Sequence, residues 1–327
     1  MRKDGVKFAC LCLRAVTAGE LANACDALPG DYWLEPPWEE FDVNVWKNHI
    51  GVWRIDQIAD AHLWVWVVAP SVRLDVNDAE HDQLEHRLFL LWQGLQLHRP
   101  GIVHSAWVLM GSLRNAKPDV QSLKQYRELF VKEPDRELTL SGLHLAAATA
   151  LDLQRLYVSG VLAGRLDRGM AALFSAMRSE HMDESILSLV RAVEGILHPK
   201  DAEQFVKRAA SVVKIDGVLP DALTTLLREL YDVRSGFTHA EALTTVFQGK
   251  SHEEGKHRAQ QLQAFAYLLA SGAYTAVLRE DTLTKRFSTE GQGDYWGKIT
   301  AGKKKPPFTV QLDEQDWSFG PDAFHEG

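Results

Sequence analysis

Apolar residues follow a two-residue period in much of the first third of the chain. The runs FACLCL, VNVWKNHIGVWRI, HLWVWVV and HSAWVLM are rich in β-branched and aromatic residues, which predicts strands. In HLWVWVV both alternating sets are apolar, so we expect a central strand covered on both faces. One helix interrupts the strands, because Leu84, Leu88, Leu91 and Leu95 recur at helical spacing. Residues 114 to 137 are polar and predict a surface excursion with a short helix inside.

The pattern changes to a helical period near Leu143, and from Arg165 onward it is helical throughout. Pro199 ends one apolar stripe, Asp201 is a candidate N-cap, and Pro220 can open a further helix. These signals predict a bundle of about four to five antiparallel helices with short loops. The predicted apolar stripes are Met170, Leu173, Phe174 and Met177, then Ile186, Leu189, Val190, Val193, Ile196 and Leu197, and then Leu223, Leu226, Leu227, Leu230 and Tyr231.

The predicted fold class is α+β, with two domains and a tail. We expect a mixed α/β N-terminal domain over residues 1–160 and an all-α bundle over 161–281. The segment 282–327 is polar and contains KKKPP, which predicts a tail that docks loosely or is disordered. A strand added by this tail would contain Phe308, Val310, Leu312 and Trp317.

Composition indicates a globular, cytoplasmic protein. The chain has 327 residues, of which 46% are hydrophobic, enough for two cores. VKFACLCLRAV lacks the pattern of a secretory signal, and no apolar run approaches the roughly 18 residues of a membrane span. Cys10, Cys12 and Cys25 are too clustered for a disulfide framework, and the first two share one face of a strand as buried thiols. The sequence has no CxxC or HxxxH pair, and we expect neither a metal nor a cofactor.

Charge and aromatic content limit the ways in which the protein can bind a polyanion. The net charge is −8, so the field of the whole protein would repel nucleic acid, and a local groove of arginines would have to hold it. Eight of the ten tryptophans precede residue 110. We interpret them as core residues, with a platform for stacked bases or sugars as the alternative.

The stretch YDVRSGFTHAE ends a long amphipathic run and carries the candidate chemistry. Arg234 and His239 lie five positions apart beside Ser235 and Gly236. The serine and glycine allow the helix to tighten or kink, which would bring guanidinium and imidazole onto one lip of the bundle. Such a pair occurs about once by chance in a chain of this composition, so its context must decide.

Two other pairs have a similar spacing and a weaker context. Arg99 and His104 lie on a turn into a predicted strand, so their side chains need not converge. Arg191 and His198 share a helix face but are about 10 Å apart along the axis, too far to hold one phosphate without a further partner.

The residue types at the motif suit phosphate chemistry, and a structural role is the alternative. An imidazole can accept or donate a proton near neutral pH, and a guanidinium can bind two phosphate oxygens. Glu194 lies close to an apolar stripe and needs a partner, either Arg234 or Arg191, or forms a salt bridge for stability alone. We place Tyr231 in the core, with its hydroxyl at the edge of the site. Alternatively, Arg234 and His239 only stabilise a helix C-terminus against its dipole.

Several of these segments resemble one known family. LVRAVEGIL, then Phe205 and Arg208, then LLRELYDVRSGFTHAE look like the ApeA-like branch of the HEPN superfamily, over about residues 165 to 275. LLWQGLQLHRPGIV is similar to N-terminal segments that accompany such domains. Ser235 stands where the family often has Asn, Asp or His, and Ala240 where it often has Gly.

The resemblance implies a metal-independent endoribonuclease that works as a homodimer, with a composite site made from both copies of the motif. Arg234 would bind the scissile phosphate, His239 would move the proton of the ribose 2′-hydroxyl or of the leaving 5′-oxygen, and Ser235 would donate a hydrogen bond. Products would carry a 2′,3′-cyclic phosphate and a 5′-hydroxyl. A bacterial stress or phage-defence effector is implied, with a protein or ligand trigger acting on the N-terminal domain.

Two other functions remain open on the sequence alone. A HEPN-like bundle can hold RNA or a nucleotide without cutting it, which the serine at position 235 and the acidic balance favour, since serine is a poor general base. A structural oligomer whose apolar N-terminal domain binds a protein partner is the third interpretation.

Overall fold

The fold is α+β, with a β-rich N-terminal part followed by helices. By its backbone contacts the chain divides into two compact units, Met1–Gln154 and Arg155–Gly327. The computed structural model describes residues 5–15, 19–21, 24–36, 51–61, 63–71, 73–74, 78–98, 103–115, 117–126, 137–160, 164–179, 181–239, 243–289 and 293–312.

An antiparallel six-stranded sheet forms the centre of the first unit. The strands are β1 Val6–Ala15, β2 Asp26–Leu28, β3 Tyr32–Leu34, β4 Leu63–Pro70, β5 Val103–Arg114 and β6 Lys117–Tyr126. Their order in the sheet is β2-β3-β4-β1-β5-β6. The long strand β1 pairs with β4 on one side and β5 on the other, so the predicted strands FACLCL, HLWVWVV and HSAWVLM lie side by side at the centre.

Both faces of the central strands are buried, as the double apolar pattern predicts. Helix α1, Val52–Ala59, contributes Ile58 to a core cluster that also contains Trp64, Trp66 and Cys10. Helix α2, Ala79–His98, packs against β1, β4 and β5. The cluster also includes Cys12 and Trp107, so the paired thiols and these tryptophans are core residues as predicted.

Two sequence predictions in this unit are wrong for the part that the structure describes. A strand is predicted over VNVWKNHIGVWRI, but its last residues begin helix α1, because Ile55 and Ile58 are the buried positions and lie three apart; residues 43–50 lie outside the described residues. A surface excursion with a helix is predicted over 114 to 137, but residues 117–126 form the edge strand β6, and residues 127–136 lie outside the described residues. A register shift at Met110/Gly111 puts Val120 and Leu123 on the same core cluster, which breaks the alternation expected of a strand.

The second unit is mostly helical, and helix α5, Met182–Leu197, lies at its centre. Helix α5 packs against α4, α6, α7 and α9. Asp201 accepts a hydrogen bond from the N–H of Gln204 as the N-cap of α6, and Pro220 begins α7, as predicted. The helices are α3 Leu140–Ser159, α4 Gly164–Ala176, α5 Met182–Leu197, α6 Ala202–Val212, α7 Pro220–Thr238, α8 Leu243–Val246, α9 His252–Leu278, α10 Asp281–Ser288 and α11 Gly293–Thr300, with α3 running across the division between the units.

Helices α4 and α5 cross at two glycines. A Cβ built on Gly169 would lie 2.1 Å from the hydroxyl of Tyr274 and 3.1 Å from the Cα of Gly195. The hydroxyl of Tyr274 donates to the carbonyl oxygen of Ala192 at 3.1 Å. Only a residue without a side chain allows the two backbones to come this close.

The prediction of a loose or disordered tail is wrong for residues 282–289 and 293–312. Helices α10 and α11 bury Phe287 and Trp296. Strand β8, Val310–Leu312, pairs in parallel with β7, Val213–Ile215, in the region where the sequence allows a strand. A few large aromatic anchors fix this segment although its composition is polar. Trp317 lies outside the described residues.

Candidate functional site

Helix α7 continues into the candidate motif as far as Thr238. Ser235 and Gly236 are helical, the helix ends at Thr238, and His239 is the C-cap. The N–H of His239 donates to the carbonyl oxygen of Gly236 at 3.0 Å, which tightens only the last turn. In a regular helix, residues five apart point about 140° away from each other. Arg234 and His239 therefore leave α7 on different sides.

Arg234 lies between a carboxylate and an aromatic ring. Its Nη2 is 3.5 Å from Oε2 of Glu194, and its Cζ is 5.4 Å from the ring centroid of Tyr231. The Tyr231 ring is in turn held by Phe205, with the two centroids 5.0 Å apart. The Arg234 side chain is 23% exposed, while its Nε is buried and has no hydrogen-bond partner among the described residues. The guanidinium is thus fixed in orientation and still partly open to solvent.

Glu194 is surrounded by positive charge but is poorly solvated. Burial raises the pKa of Glu194, while Arg234, Arg165 and Arg191 oppose that rise, as does a hydrogen bond from the Tyr231 hydroxyl. Burial also raises the pKa of Tyr231, and the negative charge of Glu194 raises it further. The structure therefore brings Glu194, Tyr231 and Arg234 together as one polar cluster between helices α5 and α7.

Ser235 and His239 line one groove together. This groove, of about 790 Å³, runs along α7 toward α8, and its lining includes Gly236, Phe247 and Lys250. His239 is exposed, and Ser235 is half-buried. Arg234 is not among the residues that line this groove, so the groove brings Ser235 and His239 together without it.

A second groove contains three arginines, none of which is among the predicted catalytic residues. It lies between α4 and α5, has a volume of about 430 Å³, and is lined by Arg165, Arg168, Arg191 and Glu194 together with small residues. Arg165 and Arg168 are three apart, as are Arg191 and Glu194, and this spacing places each pair on one helix face. The spacing in the sequence thus predicts that each pair lies on one helix face. Only the crossing of α4 and α5 at Gly169 and Gly195 shows that these two faces meet.

The C-terminus of α5 is held by a buried arginine. Arg208 is nearly inaccessible, and its Nη1 donates to the carbonyl oxygen of Leu197 at 2.9 Å and to that of His198. Its Nη2 donates to Gln204 at 2.7 Å. Burial lowers the pKa of Arg208. This contact fixes the end of the helix that carries Glu194.

The other two arginine–histidine pairs have different outcomes. Arg99 and the side chain of His104 lie outside the described residues. His198 accepts a hydrogen bond at Nδ1 from Nη1 of Arg165, at 2.7 Å, so its ring contacts an arginine of α4, while Arg191 lines the adjacent groove.

Within the described part of the chain, no group of three or more His, Cys, Asp and Glu side chains is placed to hold a metal ion. No described helix is long and apolar enough to cross a membrane. No protein-family model, curated protein or solved structure matches this chain.

Proposed function

We propose that this protein is a metal-independent endoribonuclease of HEPN type, active as a homodimer in the cytoplasm as a stress or phage-defence effector. The observation that carries the proposal is the fixed and partly exposed guanidinium of Arg234, held by Glu194 at 3.5 Å and by the ring of Tyr231. A guanidinium oriented in advance suits the charge that develops on a phosphate during transfer.

The proposed reaction uses the substrate's own nucleophile. The 2′-oxygen forms a bond to phosphorus, the bond from phosphorus to the 5′-oxygen breaks, and a 2′,3′-cyclic phosphate and a 5′-hydroxyl result. Arg234 binds the non-bridging oxygens, Ser235 donates a hydrogen bond, and His239 takes the 2′-hydroxyl proton or protonates the leaving oxygen. The requirement for a 2′-hydroxyl restricts the substrate to RNA.

The positions of the two residues support a homodimer. Arg234 faces α5, whereas His239 is exposed at the end of α7 beside another groove. A second copy related by a two-fold axis can present its His239 to the Arg234 of the first, and the reverse contact then follows by symmetry. The N-terminal unit is proposed to receive the protein or ligand trigger.

The test is a gel of total RNA and tRNA incubated with purified protein in EDTA. Arg234→Ala and His239→Ala are compared with wild type and with two matched surface controls, Arg54→Ala and His252→Ala, at exposed positions. We expect the first two changes to lower the cleavage rate by about 10²-fold or more and the controls to leave it unchanged. The cleaved ends are then assayed for cyclic phosphate. Cleavage that is equal in all five proteins, or that stops in EDTA, contradicts the proposal.

A non-catalytic HEPN-like module that binds RNA, a nucleotide or a protein is the second candidate. It is favoured by the separation of His239, within one copy, from Arg234 and from the arginines that line the groove between α4 and α5. On this alternative no preparation cleaves RNA, and Arg234→Ala weakens RNA binding more at low salt than at high salt.

A further inference from the structure

The groove between α4 and α5 is lined by arginines and by small residues. Arg165 and Arg168 come from α4 and Arg191 from α5, and Glu194 is the acidic residue in the lining. Arg168 and Arg191 are exposed. The remaining lining residues are Gly169, Ala171, Ala172, Ser175, Ser188 and Gly195. An anionic ligand can therefore approach the backbone closely while guanidinium groups surround it.

This groove has a net positive lining on a chain whose net charge is −8. The field of the whole protein repels a polyanion, so binding has to come from charges close to the ligand. Three guanidinium groups against one partly buried carboxylate supply such a local field. Guanidinium groups also match phosphate oxygens in geometry, since each can donate two parallel hydrogen bonds.

The chemistry of the lining favours a phosphate backbone over a free nucleotide. None of the described lining residues is aromatic, so the groove offers no aromatic ring on which a base can stack. Its volume of about 430 Å³ is that of a small-ligand site, which admits a short stretch of one strand. Single-stranded RNA with its bases turned outward and its phosphates inward fits both observations.

The groove leads to the candidate catalytic arginine. Glu194 lines the groove and also lies 3.5 Å from Nη2 of Arg234. Arg165 lines the same groove and is anchored on His198, at the end of α5. A strand lying along the arginines would therefore place a neighbouring phosphate beside Arg234.

We propose that the groove formed by Arg165, Arg168 and Arg191 binds the phosphates of single-stranded RNA next to the bond that is cut. This inference rests on the proposed function in so far as RNA is the substrate. It adds the path of the strand, and it makes the three arginines binding residues that do not touch the reacting atoms.

The experiment measures the anisotropy of a short fluorescein-labelled oligouridylate in EDTA, using His239→Ala protein so that the RNA stays intact. In that background R168Q/R191Q removes the charges of the two exposed arginines of the groove. The control K256Q/R279Q removes two charges at exposed positions elsewhere on the helical unit. A further variant, S175E, adds a carboxylate to the groove and keeps all three arginines. Thermal melts confirm that each variant is folded.

We expect R168Q/R191Q to weaken binding about tenfold at 0.1 M salt and to reduce the slope of log K against log salt by about 1.4, at about 0.7 for each phosphate that the protein no longer neutralises. S175E weakens binding as well, and K256Q/R279Q binds as the parent does. Equal losses in the groove and control variants, no loss in either, or no RNA binding by the parent overturns the proposal.

The same changes in protein with His239 intact separate this inference from the proposed function. If R168Q/R191Q binds and cleaves RNA like the wild type, the groove proposal fails while the ribonuclease stands. If the groove variants lose binding but the wild type never cleaves RNA, the groove stands and the catalytic proposal fails.

Discussion

Arg234 and His239 leave the end of helix α7 on different sides, although they are only five residues apart. Arg234 contacts Glu194 on α5, whereas His239 caps α7 and lines the groove toward α8. Because the two side chains diverge, the proposed chemistry is better served by a site shared between two copies than by a site within one. This expectation can be tested directly.

Mixing two inactive variants should restore cleavage. Arg234→Ala and His239→Ala proteins are combined in equal amounts under conditions that allow subunits to exchange. Half of the dimers then contain one copy of each variant, and one of their two sites has both residues intact, so about a quarter of wild-type activity should return. The measurement is the initial rate of RNA cleavage against time after mixing. The Arg234→Ala/His239→Ala double variant mixed with itself serves as the background, and a mixture no faster than that background would mean that the site is not shared between copies.

Glu194→Gln should change the pH dependence of cleavage. Because burial raises the pKa of Glu194, its carboxylate gains a proton as the pH falls through a value above the ordinary range of glutamate. The neutral acid no longer holds Arg234 by charge, so wild-type activity should drop there. Glu194→Gln should be slower at neutral pH by about tenfold and should lack that drop.

The quantity that isolates Glu194 is the ratio of wild-type to Glu194→Gln rates across pH. Other groups titrate in both proteins and cancel in this ratio, which should fall as the solution becomes more acidic. A ratio that is constant across pH would show that the charge of Glu194 does not position Arg234.

Gly169→Ala should destabilise the helical unit through the hydroxyl of Tyr274. The new Cβ would lie 2.1 Å from that oxygen, and we expect a loss of about 1 to 3 kcal/mol in the free energy of unfolding. Combining Gly169→Ala with Tyr274→Phe removes the closest clash, so the double variant should lose less than the sum of the single changes. Gly297→Ala in α11 is the control, because nothing lies within 4 Å of its Cβ position and alanine favours a helix by about 0.5 to 1 kcal/mol. Urea denaturation measures all four variants, and additive losses would contradict this mechanism.

Two neighbouring cations on α6 should differ sharply in their contribution to stability. Arg208 is buried and holds two carbonyl oxygens at the end of α5, so Arg208→Ala should lower the free energy of unfolding by about 2 to 4 kcal/mol. Lys207 is 63% exposed and pairs only with Glu203 on its own helix, so Lys207→Ala should change it by less than about 0.5 kcal/mol. Urea denaturation of the two variants side by side tests the contrast. Similar losses would mean that Arg208 does not anchor the helix end.

The helices could be predicted where local signals and burial agree. Asp201 and Pro220 mark helix starts in the sequence and do so in the structure, and the stripe from Ile186 to Leu197 is buried as its spacing predicts. Strand β6 could not be predicted, because a register shift interrupts the alternation of its apolar and polar residues and because an edge strand keeps one polar face.

Part of the candidate site could also be predicted from the sequence, and part could not. The sequence identifies Glu194 as a carboxylate that needs a partner and names Arg234 as one of two choices, and the structure pairs them. The arginine groove between α4 and α5 could not be predicted, because it depends on the contact between Gly169 and Gly195 and on the hydroxyl of Tyr274, which comes from a distant helix. Likewise, the opposed directions of Arg234 and His239 depend on α7 staying helical through Gly236, where the sequence allows a kink.

The parallel pairing of β7 with β8 has a consequence for folding during synthesis. Every described strand of the first unit's sheet has been made once Tyr126 has left the ribosome, and the unit is complete at Gln154, so it can fold while the later helices are still being translated. The helical unit differs, because its strand Val213–Ile215 finds its partner only when residues 310–312 have been synthesised. Val310 then also packs against Gly272 of α9. The arginine groove and Arg234 thus belong to the half of the protein that completes its fold last.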